Sequence, residues 1–87
     1  MDVTREDPRV ALEVLVVDDE KNIRRTLRMV LEGLGARVTD AASATAAQGV
    51  IARQRFDLVF LDLRLGDVDG LTLISPILAT SPLADVV

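Results

Sequence analysis

The sequence Val14-Leu15-Val16-Val17-Asp18-Asp19-Glu20 decides the fold. Its first four residues are a short, continuous, largely β-branched apolar run, which favours a strand buried on both faces of a parallel sheet. Carboxylates follow at the point where this strand should end. A second apolar run, Leu58-Val59-Phe60-Leu61, is followed in the same way by Asp62. The sequence therefore predicts two buried strands that both end in acidic residues.

An amphipathic helix is predicted directly after the first strand. Gly33 and Gly35 provide its stop signal, since glycine is the residue that most often ends a helix. Apolar residues spaced as one helical face alternate with a charged face. The apolar face comprises Ile23, Leu27, Val30, Leu31 and Leu34, and the charged face comprises Arg24, Arg25, Arg28 and Glu32. We expect the three arginines to form a solvated basic patch, with docking of an acidic partner as the alternative.

The remaining elements continue the alternation of strand and helix. Residues 37–41 are mixed in polarity and predict an edge strand. Ser43 is the expected N-cap of a second helix. A third helix is expected from Leu71 to about Ala79, kinked at Pro76 and ended by Ser81-Pro82. Residues 84–87 then look like the opening of a fourth strand. The side chains expected to point inward from the second helix are Ala46, Ala47, Val50 and Ile51.

Strands alternating with helices at this spacing predict an α/β fold with an open, doubly wound parallel sheet, of which about three βα units and the start of strand four are present. We divide the chain into a polar N-terminal leader, residues 1–12, and a folded domain, residues 13–87. Ligands of such sheets bind outside the carboxyl ends of the strands. This rule directs attention to the acidic residues after both buried strands.

Composition excludes several classes of function. The 87 residues contain no Cys and no His, which excludes disulfides, thiol chemistry, imidazole bases and the usual zinc sites. Phe56 and Phe60 are the only aromatic residues, and the net charge is −4, so we expect no nucleic-acid binding by this segment. The polar start of the chain does not resemble a signal peptide, and no apolar run reaches the roughly 20 residues of a membrane span. We therefore expect a cytoplasmic chain that does not bind membranes.

Asp18, Asp19 and Asp62 form the candidate functional site. If the two buried strands are neighbours, their carboxyl ends bring these three side chains together. Three carboxylates at close range repel one another, and a site that keeps them together normally holds a cation. Hard oxygen ligands without His or Cys favour Mg²⁺, which also accepts phosphate oxygens. The sequence thus predicts a divalent-metal site that could accept a phosphoryl group.

The same residues carry a family resemblance. Residues 14–20, followed by the amphipathic helix, resemble the opening of bacterial two-component response-regulator receiver domains. Residues 56–70 resemble the phosphorylation-site strand and loop of that family. The resemblance runs from about Val14 to Val87 and implies a flavodoxin-like fold. The variant Asp62-Leu63-Arg64-Leu65-Gly66 also resembles the enhancer-binding regulators that activate alternative-sigma-factor promoters.

The resemblance implies a role for each site residue. Asp62 would be the phosphoacceptor, and Asp18 and Asp19 would be the acidic pair that holds Mg²⁺ together with Asp62. The backbone carbonyl of Arg64 would be a further metal ligand. A sensor histidine kinase would be the phosphoryl donor, and an output domain outside this chain would control transcription. The domain would therefore be a signalling module and not an enzyme.

This sequence departs from the family pattern in two places. Gly66 stands where the family usually carries a proline. A complete receiver also has a Ser or Thr closing strand four and a Lys closing strand five, and the 87 residues stop before either position. Lys21 belongs to the first loop or helix and does not replace that Lys. We therefore expect metal binding, weak phosphorylation and no competent switch within these residues.

Two other classes of protein fit the sequence poorly, and a third stays open. A Mg²⁺-dependent phosphohydrolase typically needs a second acid two residues after its nucleophile, where this chain has Arg64. A dinucleotide-binding half-domain needs a Gly-rich turn where this chain has Asp18-Asp19-Glu20. An interaction or dimerisation module stays open as the alternative. Self-association could use an uncovered sheet edge or the uncharged helix at 71–82, while Asp67 and Asp69 are expected to cap that helix or to be solvated.

Overall fold

The computed structural model describes residues 11–87. Most of the proposed leader, residues 1–10, lies outside the described part of the chain. Strands and helices alternate as the sequence pattern predicts, with one short hairpin and one 3₁₀ helix in addition. The elements are, in chain order, β1 Glu13–Val17, α1 Lys21–Gly33, β2 Arg37–Ala41, α2 Ala44–Ile51, β3 Leu58–Leu61, β4 Arg64–Leu65, β5 Val68–Asp69, a 3₁₀ helix Gly70–Leu73, α3 Ile74–Thr80 and β6 Asp85–Val86.

The main sheet is parallel and has the strand order β2-β1-β3-β6. β1 therefore lies in the centre and pairs with both β2 and β3. Its last residue, Val17, is opposite Ala41 of β2 and opposite Leu61 of β3. β6 pairs with β3 as the fourth strand of this sheet, as predicted for residues 84–87. Both strands next to β1 thus end at the same edge of the sheet as β1 does.

The buried side chains of the sheet divide into two clusters because successive strand residues point to opposite faces. Leu15 and Val17 of β1 face the larger cluster, which α2, the 3₁₀ helix and α3 cover. Val14 and Val16 face a smaller cluster, to which α1 contributes Leu27 and Leu31. The four residues Val14–Val17 are 0–1% exposed, so the apolar run is buried on both faces as predicted.

Helix α1 ends in the way that its glycines predict. Gly35 has a φ of 94°, which an L-residue rarely adopts, and it follows the last residue of the helix closely. The Gly35 amide donates to the Glu32 carbonyl at 3.0 Å, and the Ala36 amide donates to the Leu31 carbonyl at 3.0 Å. These two bonds define a Schellman motif. The apolar stripe of α1 is covered less than expected, since Ile23, Val30 and Leu34 remain exposed.

Helix α2 confirms its predicted cap and corrects one of its predicted core residues. Ser43 Oγ accepts a hydrogen bond from the Ala46 amide at 3.1 Å, which satisfies one free donor of the first turn. Ala47 and Ile51 are buried, and Val50 is partly buried. Ala46 was expected to point inward and is exposed instead, because Ala44 takes the buried position one turn before Ala47.

The third helical segment begins as a 3₁₀ helix, and this changes the role of Pro76. The α-helical part starts only at Ile74, so Pro76 lies in its first turn. Backbone N–H groups in a first turn have no intrahelical acceptor, and a proline there removes no helical bond. The predicted single third helix is therefore a 3₁₀ helix followed by a short α-helix, and Pro76 does not interrupt the hydrogen bonds of the α-helix. No helix within residues 11–87 has the length and apolar character needed to cross a bilayer.

Gly70 is the glycine whose missing side chain the fold requires. A Cβ added at Gly70 would overlap the backbone carbonyl oxygen of Asp62 and would lie 2.9 Å from the Leu63 Cα. The Gly70 amide also donates to the Leu63 carbonyl at 2.9 Å. The 3₁₀ helix thus packs directly on the backbone that follows β3, and only glycine permits this approach.

We predict that Gly70→Ala destabilises the chain by roughly 1–3 kcal/mol, because backbone atoms must move to admit the methyl group. Gly49→Ala is the matched control, since an added Cβ at Gly49 meets nothing within 4 Å and the residue is helical. That control should stabilise by roughly 0.5–1 kcal/mol. Urea unfolding followed by far-ultraviolet circular dichroism measures both. Equal effects of the two substitutions would contradict the close approach of Gly70 to Asp62.

Candidate functional site

The register of the sheet brings the three predicted carboxylates together at its carboxyl edge. The Asp62 amide donates to the Val17 carbonyl at 2.9 Å, and the Asp18 amide donates to the Ala41 carbonyl at 3.1 Å. Both bonds continue the parallel ladder one residue past the strands. One carboxylate oxygen from each of Asp18, Asp19 and Asp62 lies within 4.8 Å of the other two. The structure therefore places all three predicted side chains in one cluster.

Asp18 is held through its main chain and its side chain. Its Oδ1 accepts a hydrogen bond from the Glu20 amide at 2.8 Å, which closes a local turn before α1. Its carbonyl oxygen accepts a hydrogen bond from Nη1 of Arg24 at 2.9 Å. Asp18 is half-buried, whereas Asp19 is exposed. The cluster therefore combines one fixed carboxylate of the β1–α1 loop with one that faces solvent.

Asp62 is held by the loop that follows it. Its Oδ1 accepts a hydrogen bond from the Arg64 amide at 3.0 Å. Within residues 11–87, its other carboxylate oxygen accepts no hydrogen bond, so that oxygen is free to react or to bind a ligand. Asp62 is half-buried and not enclosed. The site thus presents an oriented carboxylate that is partly open to solvent.

Strands β4 and β5 form a tight hairpin directly after Asp62. Leu65 is opposite Val68, with Gly66 and Asp67 as the two turn residues. Gly66 has a φ of 63°, and no described residue other than glycine has a positive φ. A positive φ at the first turn residue alone is the pattern of a type II′ turn. Proline, with φ fixed near −65°, could not adopt the φ of 63° that Gly66 has in this turn.

The same hairpin leaves the Arg64 carbonyl outside the ladder. Antiparallel pairs alternate between hydrogen-bonded and non-hydrogen-bonded positions. The Gly70 amide bonds the Leu63 carbonyl, so the next pair, Arg64 with Asp69, falls on a non-hydrogen-bonded position. The Arg64 carbonyl therefore does not accept from Asp69. This carbonyl belongs to the residue whose amide already contacts the Asp62 carboxylate.

A shallow cleft of about 170 Å³ adjoins the carboxylates on the α1 side of the sheet. Asp18 and Asp62 line one end, and Leu27, Phe60 and Val87 line the apolar remainder. The carboxylates therefore have solvent on one side and apolar surface on the other.

The donor set suits a hard divalent cation. The cluster offers carboxylate oxygens and, within residues 11–87, no His or Cys ligand. Mg²⁺ prefers oxygen ligands and binds through one or two carboxylates while retaining water. An exposed Asp19 and half-buried partners leave room for such waters. The residues present thus fit the Mg²⁺ predicted from the sequence.

Other predicted residues have structural contacts of their own. Asp69 Oδ1 accepts from the Leu71 amide at 3.0 Å, which confirms Asp69 as a cap, while Asp67 is exposed in the hairpin turn. The three arginines of α1 line one surface depression together with Lys21 and Asp40, and two of them also make contacts of their own. Arg24 donates a hydrogen bond to the Asp18 carbonyl, and Arg25 is exposed. Nε of Arg28 lies 3.3 Å from Oε2 of Glu32, and its Nη1 lies 3.3 Å from Oδ2 of Asp40.

Sequence reasoning missed three contributors to the site. Gly70 supports the Asp62 backbone, Gly66 turns the hairpin, and Arg24 holds the Asp18 carbonyl. Arg24 could have been found, because position 24 is on the first turn and a half of a helix that starts just after the acidic pair. A long cationic side chain there can reach back to the preceding loop.

Comparison with known proteins identifies the family. The family model for the response regulator receiver domain matches residues 14–87, which is most of the chain. The chain belongs to this family. Receiver domains are signalling domains of two-component systems, and the chain contains the N-terminal portion of one.

Individual relatives agree with this assignment. The alginate biosynthesis transcriptional regulatory protein AlgB of Pseudomonas aeruginosa is 46% identical over 69 residues, covering 79% of this chain and 15% of AlgB. Its name is in line with the predicted similarity to transcription activators. The chain thus spans a small part of the length of this curated relative.

Solved structures confirm the receiver-type fold. A response regulator of Burkholderia pseudomallei, described with a phosphorylated aspartic acid, calcium ion and citrate, superposes with a TM-score of 0.82 at 32% identity. The match covers 86% of this chain and 44% of that one. A receiver domain protein of Methanospirillum hungatei also gives a TM-score of 0.82, at 27% identity, covering 88% of this chain and 62% of that one.

We predict that Asp19→Asn stabilises the metal-free chain, because it removes one charge from three carboxylates within 4.8 Å of one another. The gain should be roughly 0.5–1 kcal/mol at low salt and should shrink near 1 M salt, where the Debye length is about 3 Å. Urea unfolding in EDTA measures it. Asp67→Asn, which neutralises an exposed carboxylate outside the cluster, is the control, and an equal gain there would contradict the predicted repulsion.

Proposed function

We propose that this chain is the phosphoacceptor part of a response regulator, in which Asp62 receives a phosphoryl group from a sensor histidine kinase. The observation that carries the proposal is the position of the Asp62 carboxylate, within 4.8 Å of Asp18 and Asp19 at the carboxyl edge of the sheet. Family membership supports the partner class. The Burkholderia pseudomallei response regulator, whose structure contains a phosphorylated aspartic acid, supports the chemistry.

The proposed reaction is an in-line displacement. The free carboxylate oxygen of Asp62 forms a bond to the phosphorus as the phosphorus–nitrogen bond of the phosphohistidine breaks, and the imidazole leaves with the bonding electron pair. The Arg64 amide, which bonds Oδ1, fixes the plane of the attacking carboxylate. Apart from the attacking carboxylate, the protein takes little part in bond making or breaking. It contributes by positioning the reacting groups and by electrostatic stabilisation.

Asp18, Asp19, Asp62 and the Arg64 carbonyl would hold the Mg²⁺ required for this reaction. When bound, Mg²⁺ would offset the negative charge that a phosphoryl group adds to an already anionic site. Asp18 and Asp62 are fixed by hydrogen bonds to neighbouring backbone amides. The free position of the Arg64 carbonyl in the hairpin ladder supports its role as a ligand.

The biological output is proposed from the relatives. AlgB of Pseudomonas aeruginosa and KdpE of Escherichia coli are transcriptional regulatory proteins by name. We infer that this domain controls transcription in the cytoplasm through an output domain and does not itself bind nucleic acid. Its net charge of −4 supports the second point, since DNA binding relies on neutralising phosphates with basic residues.

Incubation of the 87-residue chain with acetyl phosphate and Mg²⁺ tests the acceptor. We expect a hydroxylamine-labile adduct on Asp62, mapped by mass spectrometry, because the phosphoryl group would form an acyl phosphate and acetate would leave. Modification should disappear in Asp62→Asn and persist in Asp67→Asn, which alters a carboxylate of the same loop.

Occupancy should be low, as expected for a chain without the Ser or Thr and the Lys that close the later strands. An adduct on another residue, or one that survives Asp62→Asn, would overturn the assignment. The assignment would also be overturned if Asp62 stayed unmodified in a folded chain whose amide NMR signals shift on addition of Mg²⁺.

We also propose that the 87-residue chain self-associates, which keeps the interaction module as a second candidate function. The uncharged segment at 71–82 and the residue after it expose Leu71, Leu78 and Leu83, the last of them 92% exposed. Within the described residues, β6 pairs on one side only, with β3. Exposed apolar side chains and an open strand edge both favour contact with a second chain.

Sedimentation equilibrium measures this self-association. We expect an average mass above that of the monomer at millimolar concentration, and a shift toward the monomer in Leu78→Asp/Leu83→Asp. Ala46→Asp, on the exposed side of α2, is the control for added charge and should leave the mass unchanged. A monomeric wild-type chain would refute the proposal.

A further inference from the structure

The carbonyl group of Asp18 is fixed by a side chain from α1. Nη1 of Arg24 donates to this oxygen at 2.9 Å in a partly buried contact. The Arg24 amide also donates to the Glu20 carbonyl at 3.1 Å, within the first turn of the helix. One residue therefore ties α1 to the acidic loop through both its backbone and its side chain.

The peptide group that Arg24 holds is the one that joins Asp18 to Asp19. A peptide group is planar, so fixing the direction of its carbonyl fixes its N–H and the direction in which the next Cα is attached. The next Cα carries the Asp19 side chain. Among residues 11–87, no hydrogen bond involves the Asp19 carboxylate, which is exposed. The peptide plane that precedes Asp19 is therefore the nearest fixed group from which its side chain is directed.

We propose that Arg24 is a positioning residue for the metal site, acting through the Asp18 carbonyl to hold the Asp19 carboxylate toward Asp18 and Asp62. This inference deepens the proposed function, since it rests on Mg²⁺ binding by the three carboxylates. Groups that orient metal ligands commonly change metal affinity by about 10–100-fold when they are removed. Arg24 would orient the Asp19 carboxylate through one intervening peptide group. We therefore expect a loss of Mg²⁺ affinity near the lower end of this range, about tenfold.

Arg24 could affect Mg²⁺ binding through its positive charge or through its hydrogen bond to Asp18. The neighbouring Arg25 provides a control that separates these two effects. Arg25 is the next residue of α1 and is exposed, whereas Arg24 is half-buried against the loop. Loss of either arginine removes one positive charge near the carboxylates, and that loss should strengthen Mg²⁺ binding slightly by Coulomb attraction. Only loss of Arg24 removes the bond to Asp18.

Titration with Mg²⁺ followed by amide NMR shifts tests the proposal. We expect Arg24→Met to weaken Mg²⁺ binding roughly tenfold, Arg25→Met to leave it within about twofold, and Arg24→Lys to recover part of the loss. In a double-mutant cycle with Asp19→Asn, the effect of Arg24→Met should largely disappear, because the ligand that it positions is gone. Equal effects of Arg24→Met and Arg25→Met, or full additivity with Asp19→Asn, would overturn the proposal.

Hydrogen exchange in EDTA provides a readout without metal. The Glu20 amide is bonded to the Asp18 carboxylate at 2.8 Å and reports the order of the loop. Arg24→Met should speed exchange at Asp19 and Glu20 beyond any change in the strands, and Arg25→Met should not. Unchanged local exchange would overturn the positioning role. A wild-type chain that fails to bind Mg²⁺ while its exchange follows this prediction would instead overturn the proposed function.

Discussion

The pairing of β1 with a parallel neighbour on each side is the constraint on which the rest of the structure depends. Val17 lies opposite both Ala41 and Leu61, and the ladder continues with bonds from the Asp18 and Asp62 amides. A one-residue slip would exchange the faces of a strand. It would turn side chains of the large cluster toward α1 and would move one carboxylate along the edge. A single register therefore sets the core and the site together.

The two faces of this sheet are covered unequally. The larger cluster is enclosed by α2, the 3₁₀ helix and α3, whereas the smaller one is covered by α1. Leu27 and Leu31 of α1 pack on the sheet, while Val30 and Leu34, which belong to the same predicted apolar face, are exposed. Helix α1 thus contributes little burial within the described residues. Its contact through Arg24 ties it to the acidic loop independently of packing.

The sequence predicted the features that repeat with a simple period or stand next to a strand end. Alternating strands and helices, the burial of residues 14–17 and the meeting of three carboxylates follow from local pattern and from the geometry of parallel sheets. Contacts between distant segments could not be predicted in this way. The approach of Gly70 to Asp62 and the short hairpin after β3 depend on how the loop folds back on itself. The exposed position of Ala46 shows the same limit, since a helix of small residues does not fix its own rotation.

The three carboxylates of the site repel one another, and hydrogen bonds to backbone groups resist that repulsion. Three carboxylates within 4.8 Å of one another would separate if their loops were free to move. Asp18 is held through bonds to Ala41 and Glu20, and Asp62 through bonds to Val17 and Arg64. These bonds belong to the ladder and to tight turns, so Asp18 and Asp62 cannot move apart without loss of secondary structure. A site held in this way is already organised for a cation, and less of the binding free energy is spent on ordering the ligands.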